Sequence, residues 1–334
     1  MFVQARIFSN SIHIEQALCA ARVWCERNRY KLSISQEKIE DPYYISAVIF
    51  VVNNKSFLVD CSDSDQMLSV YQHIDAYFKR SLRNHHSFDL DYPVHPFGFN
   101  YGLAYKPFSF KRLSSFQRDK LFLFRTLPII RLFANNNYDL VDYRKMHAPP
   151  VDNGGSILLL TRLWDPSTVS SVEKKEYRVH LNKVRIDSIR SVKRAFSNRV
   201  VAGIQDSPLA RELCPDLIIA ASTTSKKAYL QLLRRADICI ATNGLENTLG
   251  WRIGEYVAFS KAVLTEPFDI NIPSWEEHEH YEEFDNDNLP KKIELLLKGR
   301  RYKEMQQSNY NYYNQFLEPG ALFERMLMSV NAVD

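Results

Sequence analysis

The stretch that decides the fold runs from Ala236 to Phe268, ADICIATNGLENTLGWRIGEYVAFSKAVLTEPF. Ile238 to Ala241 is an apolar run of strand length, and Thr242 to Thr248 is a polar loop with a turn at Asn243-Gly244. From Gly250 onward, Trp251, Ile253, Tyr256 and Val257 recur at helical spacing. Ser260-Lys261 closes that helix, and Ala262 to Thr265 has the short apolar run of a buried parallel strand. Gly244 and Gly250 let the backbone approach a ligand near the helix start, where free N–H groups favour an anion.

The same alternation continues on both sides. Ser156 to Thr161 reads as a strand feeding the loop Arg162-Leu-Trp-Asp-Pro166. A helix over 175–196, strand-like runs at 199–204 and 216–220, and a helix over 226–235 opened by Thr223, Thr224 and Ser225 follow. Lys226, at that helix start, can meet a phosphate as a flexible point charge. Beyond Phe268, the acidic loop NIPSWEEHEHYEEFD with His278 and His280 reads as a solvated loop, with a divalent cation as the alternative. A helix over 289–297 and a long terminal helix interrupted near Pro319-Gly320 complete the chain.

The N-terminal half opens with a strand (Phe2 to Phe8) and a helix within IHIEQALCAARVWCERN that Ser11 can cap. His13 reads as a surface or capping residue, or as a site residue, because the loop after a first strand faces the crevice in doubly wound folds. Ile45 to Val52 and Ser56 to Val59 form a hairpin around Asn53-Asn54. Asp60 ends the second strand, and Asp60, Asp63 and Asp65 either line the crevice or cap a helix over 67–74. Residues 83–100 are loop-like, and His85, His86 and His95 with Asp89 and Asp91 match no compact metal signature. Residues 135–154 read as a linker between two α/β patterns.

The Ala236–Phe268 block resembles the donor-binding stretch of GT-B glycosyltransferases with a group-1-like C-terminal domain. It is most similar to bacterial surface-polysaccharide enzymes carrying a GL…GW+.GEY.A.SK.++.EP block. Asp75 to Ser81 (DAYFKRS) and Pro96 to Gly102 (PFGFNYG) are similar to further blocks of the same enzymes. The resemblance implies an α/β chain of two Rossmann-like domains facing a cleft. It implies an acceptor-side domain over 1–150, a nucleotide-sugar-binding domain over 151–305 and a helical segment over 306–334 that crosses back. It also implies that Glu255 contacts the ribose of the donor and that Arg162 meets its diphosphate. The pattern's first Glu stands eight residues before Glu255; this chain has Asn247 there, with Glu246 one place earlier, so a hexose-contacting role for Glu246 departs from the pattern. The acceptor-side base then belongs to the first domain, where Asp60 at a strand end and His95 in a Pro/Gly-framed loop are the candidates.

The implied activity moves a sugar from a nucleotide sugar to a glycan or lipid-linked glycan acceptor in capsule or lipopolysaccharide synthesis. The nucleotide sugar is a substrate, so no cofactor is expected, and no D-x-D metal clamp is needed. A nucleotide-sugar epimerase of the same architecture and a non-catalytic polysaccharide-assembly subunit are the alternatives. The 334 residues suffice for two domains, and the net charge of +4 without a long basic run speaks against nucleic acid. No strand-linked G-x-G-x-x-G marks a dehydrogenase. The five cysteines are scattered singly, and no signal segment or membrane-length apolar run occurs, which points to the cytoplasm. The basic, aromatic segment 104–134 either packs on its own domain or contacts the inner face of the cytoplasmic membrane peripherally.

Overall fold

The computed structural model describes residues 2–38, 42–70, 72–105, 140–245 and 248–333. Glu246 and all of the basic segment 104–134 except Ala104 and Tyr105 lie outside them.

The first sheet uses β1 (Phe2–Ile7), β2 (Lys31–Gln36), β3 (Ala47–Val52), β4 (Lys55–Asp60), β5 (Ala76–Lys79) and β6 (Val94–Pro96), in the order β2-β1-β3-β4-β5-β6. Helix α1 (Glu15–Arg27) links β1 to its parallel neighbour β2. The β3–β4 hairpin turns at Asn53 and Asn54, whose φ values of 47° and 63° are the left-handed pair of a type I′ turn. That hairpin makes β3 antiparallel to both neighbours, so this sheet is mixed. Two sequence expectations fail here. The described residues of 67–74 form no helix, because side chains of the core take their backbone groups: Leu68 N–H donates to the Tyr77 hydroxyl, and the Tyr44 hydroxyl donates to the Ser69 carbonyl. His95 sits on β6, the last strand of the sheet, instead of in a loop; an edge strand tolerates the Pro96 that follows.

β7 (Leu103–Ala104) and β8 (Val141–Asp142) form a small parallel pair. The second large sheet then collects β9 (Ile157–Thr161), β10 (Val200–Gln205), β11 (Ile218–Ile219), β12 (Ile238–Ala241), β13 (Ala262–Thr265) and β14 (Tyr281–Glu283). All its pairings are parallel, and its order is β11-β10-β9-β12-β13-β14. Counted from β9, this is the 3-2-1-4-5-6 order of the dinucleotide-binding fold. Its strands are near-continuous apolar runs because helices cover both faces. The helices are α2 (Val172–Ala195), α3 (Pro208–Leu213), α4 (Lys226–Arg235), α5 (Trp251–Ala258), α6 (Leu289–Leu297) and α7 (Tyr302–Tyr312).

After a π turn at Tyr313–Leu317, α8 (Pro319–Ser329) packs on the first sheet. Phe323 meets Trp24, Phe50 and Phe57, and the Glu318 carboxylate that caps α8 also pairs with Arg27 at 2.8 Å. One apolar cluster joins the two sheets: Phe99, Tyr101 and Leu103 pack with Leu158, Tyr229, Ile253 and Tyr256.

The closest approach is at Gly254 on α5. A Cβ there would stand 3.2 Å from the Cβ atoms of both Phe99 and Tyr101, so any side chain would press α5 and the PFGFNYG segment apart. Gly254→Val should therefore lower stability by about 1–3 kcal/mol through overpacking. Urea unfolding tests this, and an unchanged midpoint would contradict the close approach.

Candidate active-site cleft

In a 3-2-1-4-5-6 sheet the strand order reverses between the first and fourth strands, and the crevice beyond their C-terminal ends is where ligands bind. Here those strands are β9 and β12, and the loops leaving them begin at Arg162 and Thr242. Both loops line a cavity of about 460 Å³. Its other wall comes from the first sheet's side: Ile12, His13, Asp63, Arg80 and Gly102.

The two loops are held by α2. Asn182 accepts from the Trp164 N–H at 2.9 Å and donates to the Trp164 carbonyl at 2.7 Å. One turn later, Arg185 is 5% exposed and donates to the Arg162 carbonyl (2.6 Å), the Asn243 carbonyl (2.7 Å) and the Thr242 hydroxyl (3.1 Å). Burial, and then Arg252, lower its pKa. Glu266, after β13, accepts from the Asn243 N–H at 2.7 Å, and burial raises its pKa. Gly244 closes the loop: its N–H donates to the Thr248 carbonyl at 2.7 Å, and a Cβ would stand 2.8 Å from the Thr248 hydroxyl. Gly250 caps α5 without a side chain, and Trp251, Arg252 and Ile253 of the first turn line the cavity.

Arg162 lines the cavity and stacks over the Trp164 ring at 3.9 Å. Lys226, first residue of α4, forms an ion pair with Glu255, which is 3% exposed. Across the cavity, Arg80 pairs with Asp63 and donates to the Leu249 carbonyl at 3.2 Å, tying the two walls together. Among the described lining residues, five cations (Arg80, Arg162, Arg185, Lys226, Arg252) stand against two carboxylates (Asp63, Glu255), leaving three net positive charges.

The structure thus brings Arg162, Lys226, Gly244, Gly250 and Glu255 to one cavity. It does not bring Asp60 or His95 there. Asp60 is fully buried: one oxygen accepts from the Lys79 ammonium at 2.6 Å and the Tyr77 hydroxyl at 2.8 Å, the other from the Ser62 N–H at 2.9 Å. Its strand-end position is occupied by structure, and the next acid along, Asp63, reaches the cavity instead. His95 stacks on Phe78 at 5.2 Å, away from the cavity lining, and burial with nearby Arg325 lowers its pKa. Glu246 lies outside the described residues. Three lining residues carried weak sequence signals. Arg185 is a lone cation among the apolar positions of α2, Arg252 is only the basic position of the GW+.GEY block, and His13 had a surface reading beside its crevice reading.

The metal-capable cluster found among the described residues, Glu277, His278 and Glu282, does not line the cavity. Its buried member, Glu282, already accepts from Lys292 at 2.8 Å. All five cysteines are buried and free. No helix among the described residues is long and apolar enough to cross a membrane.

No protein-family model and no curated protein matches the chain. Solved structures that do match include several named as glycosyltransferases. The C-terminal domain of the group 1 glycosyl transferase LpcC from Francisella tularensis aligns at 11% identity and TM-score 0.37 over 52% of this chain and 97% of its own. WaaG, a glycosyltransferase of lipopolysaccharide biosynthesis, aligns at 11% identity and TM-score 0.37 over 97% of both chains. Anabaena HepE, solved with UDP, aligns at 11% identity and TM-score 0.34 over 59% of this chain and 57% of its own. The chain spans 39% of TarM, another match at 13% identity and TM-score 0.35 over 58% of this chain. The reading of the cleft rests on this chain's own residues.

Asp60→Asn should cost about 3–5 kcal/mol of stability, because it strands the buried Lys79 ammonium. Calorimetric unfolding of the variant beside the parent checks this; a stable variant would show that the Asp60–Lys79 pair is dispensable.

Proposed function

We propose that the chain is a glycosyltransferase of the GT-B type that takes its sugar from a nucleoside diphosphate donor. The observation that carries this is the switch-point crevice itself, lined by three net positive charges and faced by a second wall. A diphosphate diester donor carries two negative charges, and the departing nucleoside diphosphate carries about one more. A preorganised excess of positive charge therefore favours the transition state over the bound donor.

In this reading, Arg162, Lys226 and the first turn of α5 with Arg252 hold the diphosphate. Glu255 accepts from the ribose hydroxyls, and its ion pair with Lys226 orients both side chains before the ligand arrives. Gly244 and Gly250 keep the loop and the helix start free of side chains, so that backbone N–H groups can reach phosphate oxygens. The acceptor, a glycan or lipid-linked glycan, enters along the His13–Asp63–Arg80 wall. Synthesis of a bacterial surface polysaccharide such as capsule or lipopolysaccharide, at the cytoplasmic side of the membrane, is the setting that fits such an acceptor.

Binding of UDP and GDP measured by calorimetry tests the reading. Arg162→Ala should weaken the preferred nucleotide by about 2–5 kcal/mol, the usual loss at a desolvated charged contact. Glu255→Gln should also weaken it while the chain stays folded at the assay temperature. Unchanged affinity in both variants would remove the donor site from this cleft. With the cations of the cleft serving in place of a metal, turnover should survive EDTA. Loss of turnover in EDTA that magnesium restores would contradict that part.

A further inference from the structure

Tyr229 lies on α4 three residues after Lys226, so the two side chains share one face of that helix. The residue is 6% exposed, belongs to the apolar cluster with Leu160, Leu230, Ile253 and Tyr256, and lines the cavity. Two cations of the cavity meet its ring. The Lys226 ammonium stands 5.4 Å from the ring centroid and the Arg252 guanidinium 5.5 Å. Both fall within the roughly 6 Å over which the negative face of an aromatic ring attracts a cation. One buried ring thus links the first residue of α4 to the first turn of α5.

The two cations are otherwise held differently. Lys226 is paired with Glu255. Arg252 forms no ion pair among the described residues, and the contact that holds its guanidinium is the Tyr229 ring. Arg252 also stands close enough to Arg185 to lower that group's pKa, so the two like charges repel each other. A long side chain near a helix start, facing a second cation, swings out into water unless something attracts its head. The ring supplies that attraction. Burial, and then Glu255, raise the Tyr229 pKa, so the ring stays a neutral phenol and its face keeps the same attraction across the neutral range.

We propose that Tyr229 is a positioning residue of the donor site: the face of its ring holds the Arg252 guanidinium beside Lys226, so that both cations are in place before a nucleoside diphosphate arrives. This rests on the reading of the cleft as a nucleotide-sugar site. Ordering a flexible cation in advance removes that ordering cost from the binding step. Two consequences separate this role from simple packing. The ring face matters and the hydroxyl does not, so phenylalanine serves where an aliphatic side chain fails. The effect on the ligand passes through Arg252, so it vanishes once Arg252 is gone. A Tyr229 that touched the nucleotide itself would keep its effect in the absence of Arg252.

The experiment is a double-mutant cycle on the full chain, read as UDP and GDP affinity by calorimetry, with melting curves to establish that each variant is folded. The variants are Tyr229→Leu, Tyr229→Phe, Arg252→Ala and the double variant Tyr229→Leu/Arg252→Ala. Tyr229→Met, which fills similar space without an aromatic face, stands in if Tyr229→Leu does not fold. The proposal expects Tyr229→Leu to weaken the preferred nucleotide by about 5–10-fold and Tyr229→Phe to restore it to within about 3-fold of the parent. The double variant should bind within about 2-fold of Arg252→Ala alone. Parent-like affinity in Tyr229→Leu overturns the proposal. So does an equal loss in Tyr229→Phe, and so do losses that multiply in the double variant. Failure of both the Leu and the Met variants to fold makes the residue structural and also overturns it. A parent that binds neither UDP nor GDP overturns the glycosyltransferase reading on which the proposal rests.

Discussion

The cleft depends on one buried guanidinium. Arg185 sits mid-helix on α2, and its three donated hydrogen bonds reach the loop after β9 and the loop after β12. Those loops flank the point where the sheet order reverses, so a single side chain sets the width of the crevice. Burying a cation is costly unless its donors are satisfied, and Arg185 satisfies them on two carbonyls and a hydroxyl, with no ion-pair partner among the described residues. Glu266 offsets part of that charge without forming an ion pair with it, and the cavity lining keeps three net positive charges. The same contacts that build the crevice leave positive charge on its lining.

A second constraint acts across the cleft. The PFGFNYG segment is pinned to α1 by Gln16, which donates to the Phe99 carbonyl at 3.0 Å and accepts from the Tyr101 N–H at 2.8 Å. That segment receives α5 at Gly254, and α5 in turn carries Trp251 against His13 and Glu255 against Lys226. Packing at this glycine thus helps to set the distance between the two walls of the cavity. A catalytic group on one wall works only if that distance is held to a fraction of an ångström.

The second sheet was legible in the sequence because its signals are local. The Ala236–Phe268 block pairs apolar runs of strand length with a helix of regular spacing, and β12, α5 and β13 fall where that pattern puts them. Strand β2 was not legible: Leu32 and Ile34 alternate with polar residues on a half-exposed edge, a weak signal. The site divides the same way. Arg162 follows a strand end, Lys226 starts a helix and Glu255 lies on a patterned helix, and position together with the family resemblance nominated them. Asp60 had the same positional merit, but its partners are set by the parallel register of β4 with β5, where Asp60 stands opposite Lys79. Local sequence does not encode that pairing. Arg185 and His13 acquire their places only when α2 and β1 are folded against distant loops.

The central claim is that the crevice between β9 and β12 holds a nucleoside diphosphate. A crystal structure of the chain soaked with UDP or GDP tests it most directly. The account predicts electron density for the diphosphate between Arg162, Arg252 and the first turn of α5, with the ribose within hydrogen-bond reach of Glu255. Nucleotide density elsewhere on the molecule, with the crevice filled only by water, would contradict it.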